Sequence, residues 1–309
     1  VAFLRQIKMT ASDPETGLSV SVSDLYMTFE VTKDIGQASN TCRAKIYNAS
    51  TETMRQIQNM ANKAPTEKQG QFVVEAGYQD EQVAGLFFGN FIRATPIRDG
   101  TERYLDIEAS DGQESAQNQT FAKSYSAGTP LAAVFNDLTQ AIGLPVIGAS
   151  LLPAGVTYNI GYGSAAAGGL AKDFLTEVLA RVGLSWTIQN KQLYILSQSN
   201  NGQPPIVTLS MTTGLLRSPE PIVDKSDMVG GGLPPRNRWR LTALLIPQLT
   251  AGSKVTVSSK ACSGDFVVEK AVFTGDNRDG DFHVVAEVID PSSAAQGLNY
   301  SASAPELSE

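Results

Sequence analysis

Residues 24–33, DLYMTFEVTK, alternate without a break: Leu25, Met27, Phe29 and Val31 are apolar, and Tyr26, Thr28, Glu30 and Thr32 between them carry polar groups. Successive side chains of a strand point to opposite faces, so this pattern buries one face only in an extended chain. TCRAKIYN, QFVVEAGY, QVAGLFFGNFIRATPIR and ERYLDIEAS follow at regular spacing. In the last of these, Leu105, Ile107 and Ala109 oppose Tyr104, Asp106 and Glu108. Strands spaced this way predict an antiparallel sandwich or small barrel. One short helix interrupts them, capped by Ser50 or Thr51 and burying Met54, Ile57 and Met60 or Ala61.

The pattern changes near residue 121. In GTPLAAVFNDLTQAIGL, Thr129 is the expected N-cap, Pro130 the first helical residue and Gly143 the stop. The apolar face is Leu131, Val134 or Phe135, Leu138 and Ile142. A second helix carries Leu170, Phe174, Val178 and Val182 on one face and stops at Gly183. LSWTIQNKQLYIL then reads as a hairpin turning at Asn190-Lys191. Residues 121–198 therefore predict a small α/β unit with helices over one face of a sheet.

The stretch before the second helix, NIGYGSAAAGGL, raises the question of a phosphate loop, because a glycine turn opening a helix can point several N–H groups at an anion. A Walker loop would end in Gly-Lys-Ser/Thr, whereas Gly168 and Gly169 are followed by Leu170, and Lys172 falls inside the helix. Gly161, Gly163 and Gly168 also miss the dinucleotide spacing. The stretch is expected to be a flexible crossover between strand and helix.

Residues 199–237 are rich in Gly, Pro and Ser, which marks a boundary and an exposed loop around Gly230 to Pro235. RWRLTALLIPQL, SKVTVSS, DFVVEKAVFTGD and DFHVVAEVID resume the strand pattern, the last two joined across Asp279-Gly280. The expected organisation is a β-barrel-like domain with one short helix over 1–120, an α/β domain over 121–198, a linker and second β-barrel-like domain over 199–290, and a mobile tail over 291–309. The fold class is a mixed, β-rich α+β.

Chemistry is sparse. The lone histidine, His283, has no nucleophile motif beside it and reads as a sheet-surface residue. Asp276, Asp279 and Asp281 fail the calcium-loop pattern because Gly275 would hold its first position. Asp106 and Glu108 read as a solvated strand face, and Trp186 and Trp239 as apolar anchors. Cys42 and Cys262 each read as lying in a strand and are expected to be buried thiols, with a disulfide between them as the alternative. No catalytic, cofactor-binding or metal-ligating residue is assigned. A net charge of -7 argues against gripping nucleic acid, yet suits a passage through which DNA slides. No apolar run reaches the length of a membrane span, and VAFLRQIKMTASDPETG lacks the apolar centre of a signal peptide.

Four stretches resemble the baseplate hub proteins of contractile-tailed phages, the tail hub or late control protein D-like family. They are SDLYMTFEVTKDIGQASNTCRAKIYNASTETMRQI; the α/β unit ending in LSWTIQNKQLYIL; TGLLRSPEPI followed by WRLTALLIPQLTAGSKVTVSS; and VFTGDNRDGDFHVVAEVID. DMVGGGLPPRN departs from the pattern as an insertion. The resemblance implies a structural, non-enzymatic virion protein made in the host bacterial cytoplasm. It implies a homotrimer in which two tube-type barrels per chain give six modules, joining a sixfold tail tube or tube initiator to a threefold central spike. Other baseplate proteins and the tape measure protein are implied neighbours, and DNA transits the channel. The alternative readings are a carbohydrate-binding or cell-wall-hydrolysing tail component and a ring-forming module of a secretion channel.

Overall fold

The computed structural model describes residues 4–35, 40–64, 68–79, 83–111, 119–158, 165–189, 191–197, 207–222 and 237–290. Asn190, the 199–206 part of the linker, the Gly230 to Pro235 loop and the 291–309 tail lie outside the described residues, as do Gly161 and Gly163.

The first part of the chain gives β1 (Arg5–Ser12), β2 (Ser19–Val22), β3 (Met27–Asp34) and β4 (Thr41–Tyr47), then helix α1 (Thr51–Ala61). It continues with β5 (Gln71–Tyr78), β6 (Ala84–Asp99) and β7 (Glu102–Ser110). The alternation predicted these faces: Met27, Phe29 and Val31 of β3 and Leu105, Ile107 and Ala109 of β7 are all buried. In α1 the Ser50 hydroxyl accepts the Thr53 N–H at 3.0 Å, and Met54, Ile57, Met60 and Ala61 are buried as spaced. Each of the larger three contributes about 1.5–3 kcal/mol by leaving water.

The α/β unit consists of β8 (Thr120–Tyr125), β9 (Thr129–Pro130), α2 (Leu131–Ile142), β10 (Val146–Ile147), a single 3-10 turn (Ala149–Leu151), β11 (Thr157–Tyr158), β12 (Ala165–Leu170), α3 (Ala171–Ala180), β13 (Leu184–Gln189) and β14 (Gln192–Ser197). Three corrections to the sequence reading arise here. First, α2 begins one residue late, so Pro130 takes the cap position, and the Thr129 hydroxyl donates to the Ser126 carbonyl instead of capping. Second, Gly168 and Gly169 belong to a strand, not to a flexible crossover: Ala165–Leu170 pairs antiparallel with Thr120–Tyr125. A run of Ala and Gly has no alternation to reveal a strand, and it extends here because a partner strand supplies the hydrogen bonds. Third, α3 starts at Ala171 and buries Ala171, Leu175, Val178 and Leu179, so of the predicted face only Val178 is fully buried. Phe174 and Val182 pack at its margin, and Gly183 adopts φ 68° after the helix has ended. Gly143 ends α2 with φ 73°, as expected of an αL stop. Strands β13 and β14 pair as a hairpin from Leu184↔Ser197 to Gln189↔Gln192, and Lys191 in the turn has φ 59°.

The last part gives β15 (Val207–Leu209), β16 (Glu220–Pro221), β17 (Arg238–Leu244), β18 (Lys254–Ser258), β19 (Ser263–Asp276) and β20 (Phe282–Ile289). These strands do not make a sheet of their own. They join those of the first part in one 13-stranded sheet, ordered β16-β17-β20-β19-β3-β4-β7-β6-β5-β1-β2 with β18 and β15 branching from β19. The bridge is the antiparallel pair β19–β3, which runs from Lys270↔Asp34 to Asp276↔Thr28. The described strands form no closed barrel, and the fold is a β-rich one in which a single hydrophobic core underlies both sheet regions.

The sheet nevertheless curls toward itself. Arg5 on β1 donates to the carbonyls of Asp276 at 3.1 Å and Gly280 at 2.6 Å, across the tip of the β19–β20 hairpin. Its guanidinium also lies over the Phe282 ring, and the Tyr78 hydroxyl of β5 donates to the Phe282 carbonyl. A separate core, drawn from residues 121–195, fills the α/β unit.

Candidate interaction surface

The long sheet presents one face outward, away from the core it covers. Register carries one neutral row across it: Thr242, Val285, Val272, Thr32 and Thr41. On one side runs Glu30↔Arg43↔Glu108, continued by Arg93. On the other run Arg240↔Glu287 and Lys270. The charges in and beside both rows pair with one another: Arg93 lies 3.0 Å from Glu108 and 3.0 Å from Asp106, Arg240 3.3 Å from Glu287, and Arg238 2.8 Å from Glu269. The hydrogen bond from Arg93 holds the Glu108 carboxyl below its ordinary pKa. Charges cancelled this way leave little single-sign field along the face.

Asp106 and Glu108 are thus both ion-paired with Arg93 across the β6–β7 pair. Tyr26, Tyr47 and Tyr104 form a strip at one end of the face, with centroids 4.4 and 5.2 Å apart. Arg278 lies over Tyr26 and Lys45 over Tyr104, so the rings spend their faces on each other and on cations rather than offering a platform to a sugar. The Tyr26 hydroxyl, pushed up to about 12 by burial and by Asp276, donates to that carboxylate at 2.9 Å.

The remaining sequence candidates lie at the β19–β20 hairpin tip, on the sheet face and in the two cores. Asp276 serves the hairpin tip, accepting from Tyr26 and from the Arg278 N–H. Asp279 and Asp281 lie at the same turn, and no group of three His, Cys, Asp or Glu with metal-ligand geometry occurs among the described residues. His283 sits on the outward side of β20, 3.8 Å from Asp281. Trp186 is buried in the second core with its Nε1–H on Thr176, and Trp239 is half-buried against the first. Cys42 and Cys262 are free and buried, although Cys262 precedes β19 by one residue rather than lying in it. Burial pushes the Cys262 thiol up to about 11 and raises Cys42 further.

Sequence reasoning missed one cluster. Lys33 continues the inward alternation of Met27, Phe29 and Val31, is 3% exposed and stands over the Phe273 ring. Burial lowers its pKa to about 8, against the opposing attraction of Asp111. Asn40, Ser110 and Asp111 are buried nearby, where the strands meet the α/β unit.

The sequence profile of the baseplate hub gp41 family matches residues 6–288. The chain belongs to that family. It is a phage baseplate structural protein, placed by its family in the virion tail. No curated protein sequence matches it significantly. Its fold resembles the 43 kDa tail protein of prophage MuSo2 from Shewanella oneidensis, at 12% identity and TM-score 0.61 over 94% of this chain and 99% of that one. It also resembles the tail protein of Neisseria meningitidis MC58, at 11% identity and TM-score 0.62 over 94% and 98%. A third likeness is to a chain of the Francisella PdpA-VgrG complex, at 8% identity and TM-score 0.58 over 93% of this hub chain and 58% of that chain.

Proposed function

We infer that this hub protein assembles as a homotrimeric ring that joins the sixfold tail tube to the threefold central spike and surrounds the passage for DNA. The observation that carries the reading is the single sheet spanning both sheet regions and left open at its ends. One end strand, β2, has the sequence SVSV and, among the described residues, pairs only with β1. It has neither the proline nor the charge that usually blunts an exposed edge, whereas the strand at the other end, β16, contains Pro221. Head-to-tail joining of unlike edges closes into a ring when the rotation per copy divides a full turn. The solved fold relatives include a prophage tail protein, a tail protein from Neisseria meningitidis and a chain from a complex containing VgrG, which supports a partner of the spike type below the ring. The tube or tube initiator, other baseplate proteins and the tape measure protein are the remaining partners of this reading. A balanced outward sheet face suits a channel wall, because DNA meets neither a sticky basic lining nor strong repulsion.

The test is the solution mass by light scattering. The expected value is three times 32.9 kDa, falling to one chain in the Ser19→Lys/Ser21→Lys double variant with its circular dichroism unchanged. A single-chain mass that persists after mixing with the tube and spike proteins overturns the trimer, and a trimer untouched by the double variant removes β2 from its interface.

A further inference from the structure

We propose that a buried polar latch centred on Asn40 fastens the α/β unit to the sheet, and that releasing it lets the unit swing as one body with its own core intact. The two cores share no buried residue: one draws on 7–109 and 209–288, the other on 121–195. Between them runs a polar seam along the β13–β14 hairpin, beside the place where Leu196 of β14 approaches Gly252. The Asn40 side-chain amide donates to the Ile188 carbonyl at 2.8 Å and to the Asp111 carboxylate at 2.9 Å, while its oxygen accepts the Asp34 N–H. The Asn40 backbone N–H donates to the other Asp111 oxygen, and the Ser110 hydroxyl donates to the Asn40 carbonyl. Thr187, 1% exposed, donates to the Asp34 carbonyl at 3.1 Å. At the rim, Lys191 donates to Asn90 and lies over the Phe88 ring.

The latch gathers three places the chain must bring together. They are the end of β3 at Asp34, the end of β7 at Ser110 and Asp111 where the chain leaves for the α/β unit, and strand β13. Asn40 is 2% exposed and Asp111 0%, so each of these bonds is shielded from water while it lasts. A seam of this kind differs from a shared hydrophobic core. Hydrogen bonds are directional and each contributes modestly, so a few of them hold one seat firmly yet can be traded for others when a partner offers them. Packed apolar cores offer no such exchange, because separating them exposes the whole area at once.

Segment-resolved hydrogen exchange on the full chain tests the proposal, comparing the parent with Asn40→Ala and with Thr187→Val. Asn40→Ala is expected to speed exchange across residues 184–189 about tenfold, the factor that corresponds to losing one net hydrogen bond. Protection of α2 and α3 is expected to stay at the parent level. Thr187→Val, which nearly keeps the shape and removes one bond, gives a smaller change in the same segment and carries the test if Asn40→Ala does not fold. Loss of α2 and α3 protection together with the seam overturns the proposal, since the unit then melts rather than swings. Unchanged exchange at 184–189 in both variants overturns it as well, since the latch is then not what holds the seat.

Discussion

The long sheet and the α/β unit are built on opposite economies of contact. In the sheet, strands far apart in sequence are neighbours: β3 pairs with β19 at Lys270↔Asp34 through Asp276↔Thr28, and one core serves the first and last parts of the chain. In the α/β unit the hydrophobic core lies within 121–195, and a polar seam runs between that unit and the sheet. Long-range pairing ties the sheet into one cooperative body, whereas a local core can hold or yield separately.

The contrast breaks most sharply with a pair of core truncations. Phe273→Ala removes a fully buried ring from β19, the strand that joins the two sheet regions. It should cost about 3–5 kcal/mol and lower the urea midpoint seen by every probe. Phe135→Ala removes a ring buried in the second core and should cost a similar amount, but its exchange changes should concentrate in residues 121–195. If Phe135→Ala shifts the sheet strands equally, the two bodies are one folding unit and the comparison fails.

That division was partly legible in the sequence. Alternation gave the strand faces of β3 and β7, and the Met54, Ile57 and Met60 spacing gave α1, because these patterns are local and driven by burial. The β3–β19 pairing was not legible. Nothing in either strand names a partner more than 230 residues away, and two barrels or one sheet have the same local pattern. Gly168 and Gly169 misled for a related reason: their strand is made by its partner, β8, and not by side chains. Lys33 was legible and passed over. It occupies the inward position after Val31, where a charge is out of place and therefore informative.

Lys33 sharpens the comparison where the two bodies meet. Its folded pKa of about 8 lies below the ordinary lysine value of 10.5, so the unfolded chain binds that proton more tightly. Stability of the parent therefore rises between pH 8 and pH 10.5, as the folded protein sheds the charge before the unfolded one does. Lys33→Met should be more stable at pH 7 by on the order of 2–3 kcal/mol, and the advantage should shrink across that window. Urea midpoints at pH 7, 9 and 10.5 check the sign; parallel curves for the two proteins would show that Lys33 carries no penalty.

Gly275 examines close packing at the hairpin tip that Arg5 also grips. A Cβ there would strike the Phe29 ring across the β19–β3 pair. Gly275→Ala should cost about 1–3 kcal/mol by overpacking, with exchange rising at the sheet junction first. A neutral result would mean that Phe29 can turn aside, and that the junction is looser than its burial implies.

The smallest effect expected lies at the far edge of the sheet. Asp13 in the β1–β2 turn accepts the Lys63 ammonium at 2.7 Å, the Glu15 N–H at 3.0 Å and the Thr16 hydroxyl at 2.9 Å. The bond from Lys63, with the turn N–H behind it, lowers the carboxyl from 3.8 to about 2. A depressed carboxyl stabilises the folded chain above its unfolded pKa, and that contribution drains away as pH falls from 4 through 2. Asp13→Asn should therefore melt slightly below the parent at pH 7 and approach it at pH 2, with the melting temperature less sensitive to acid. Because this turn ties the β1–β2 hairpin to the residues just after α1, the same variant loosens β2, the strand proposed to meet the next copy. A drop in trimer mass at low protein concentration, without a change in the sheet core, would place the acid sensitivity of assembly at that edge rather than in the body of the sheet.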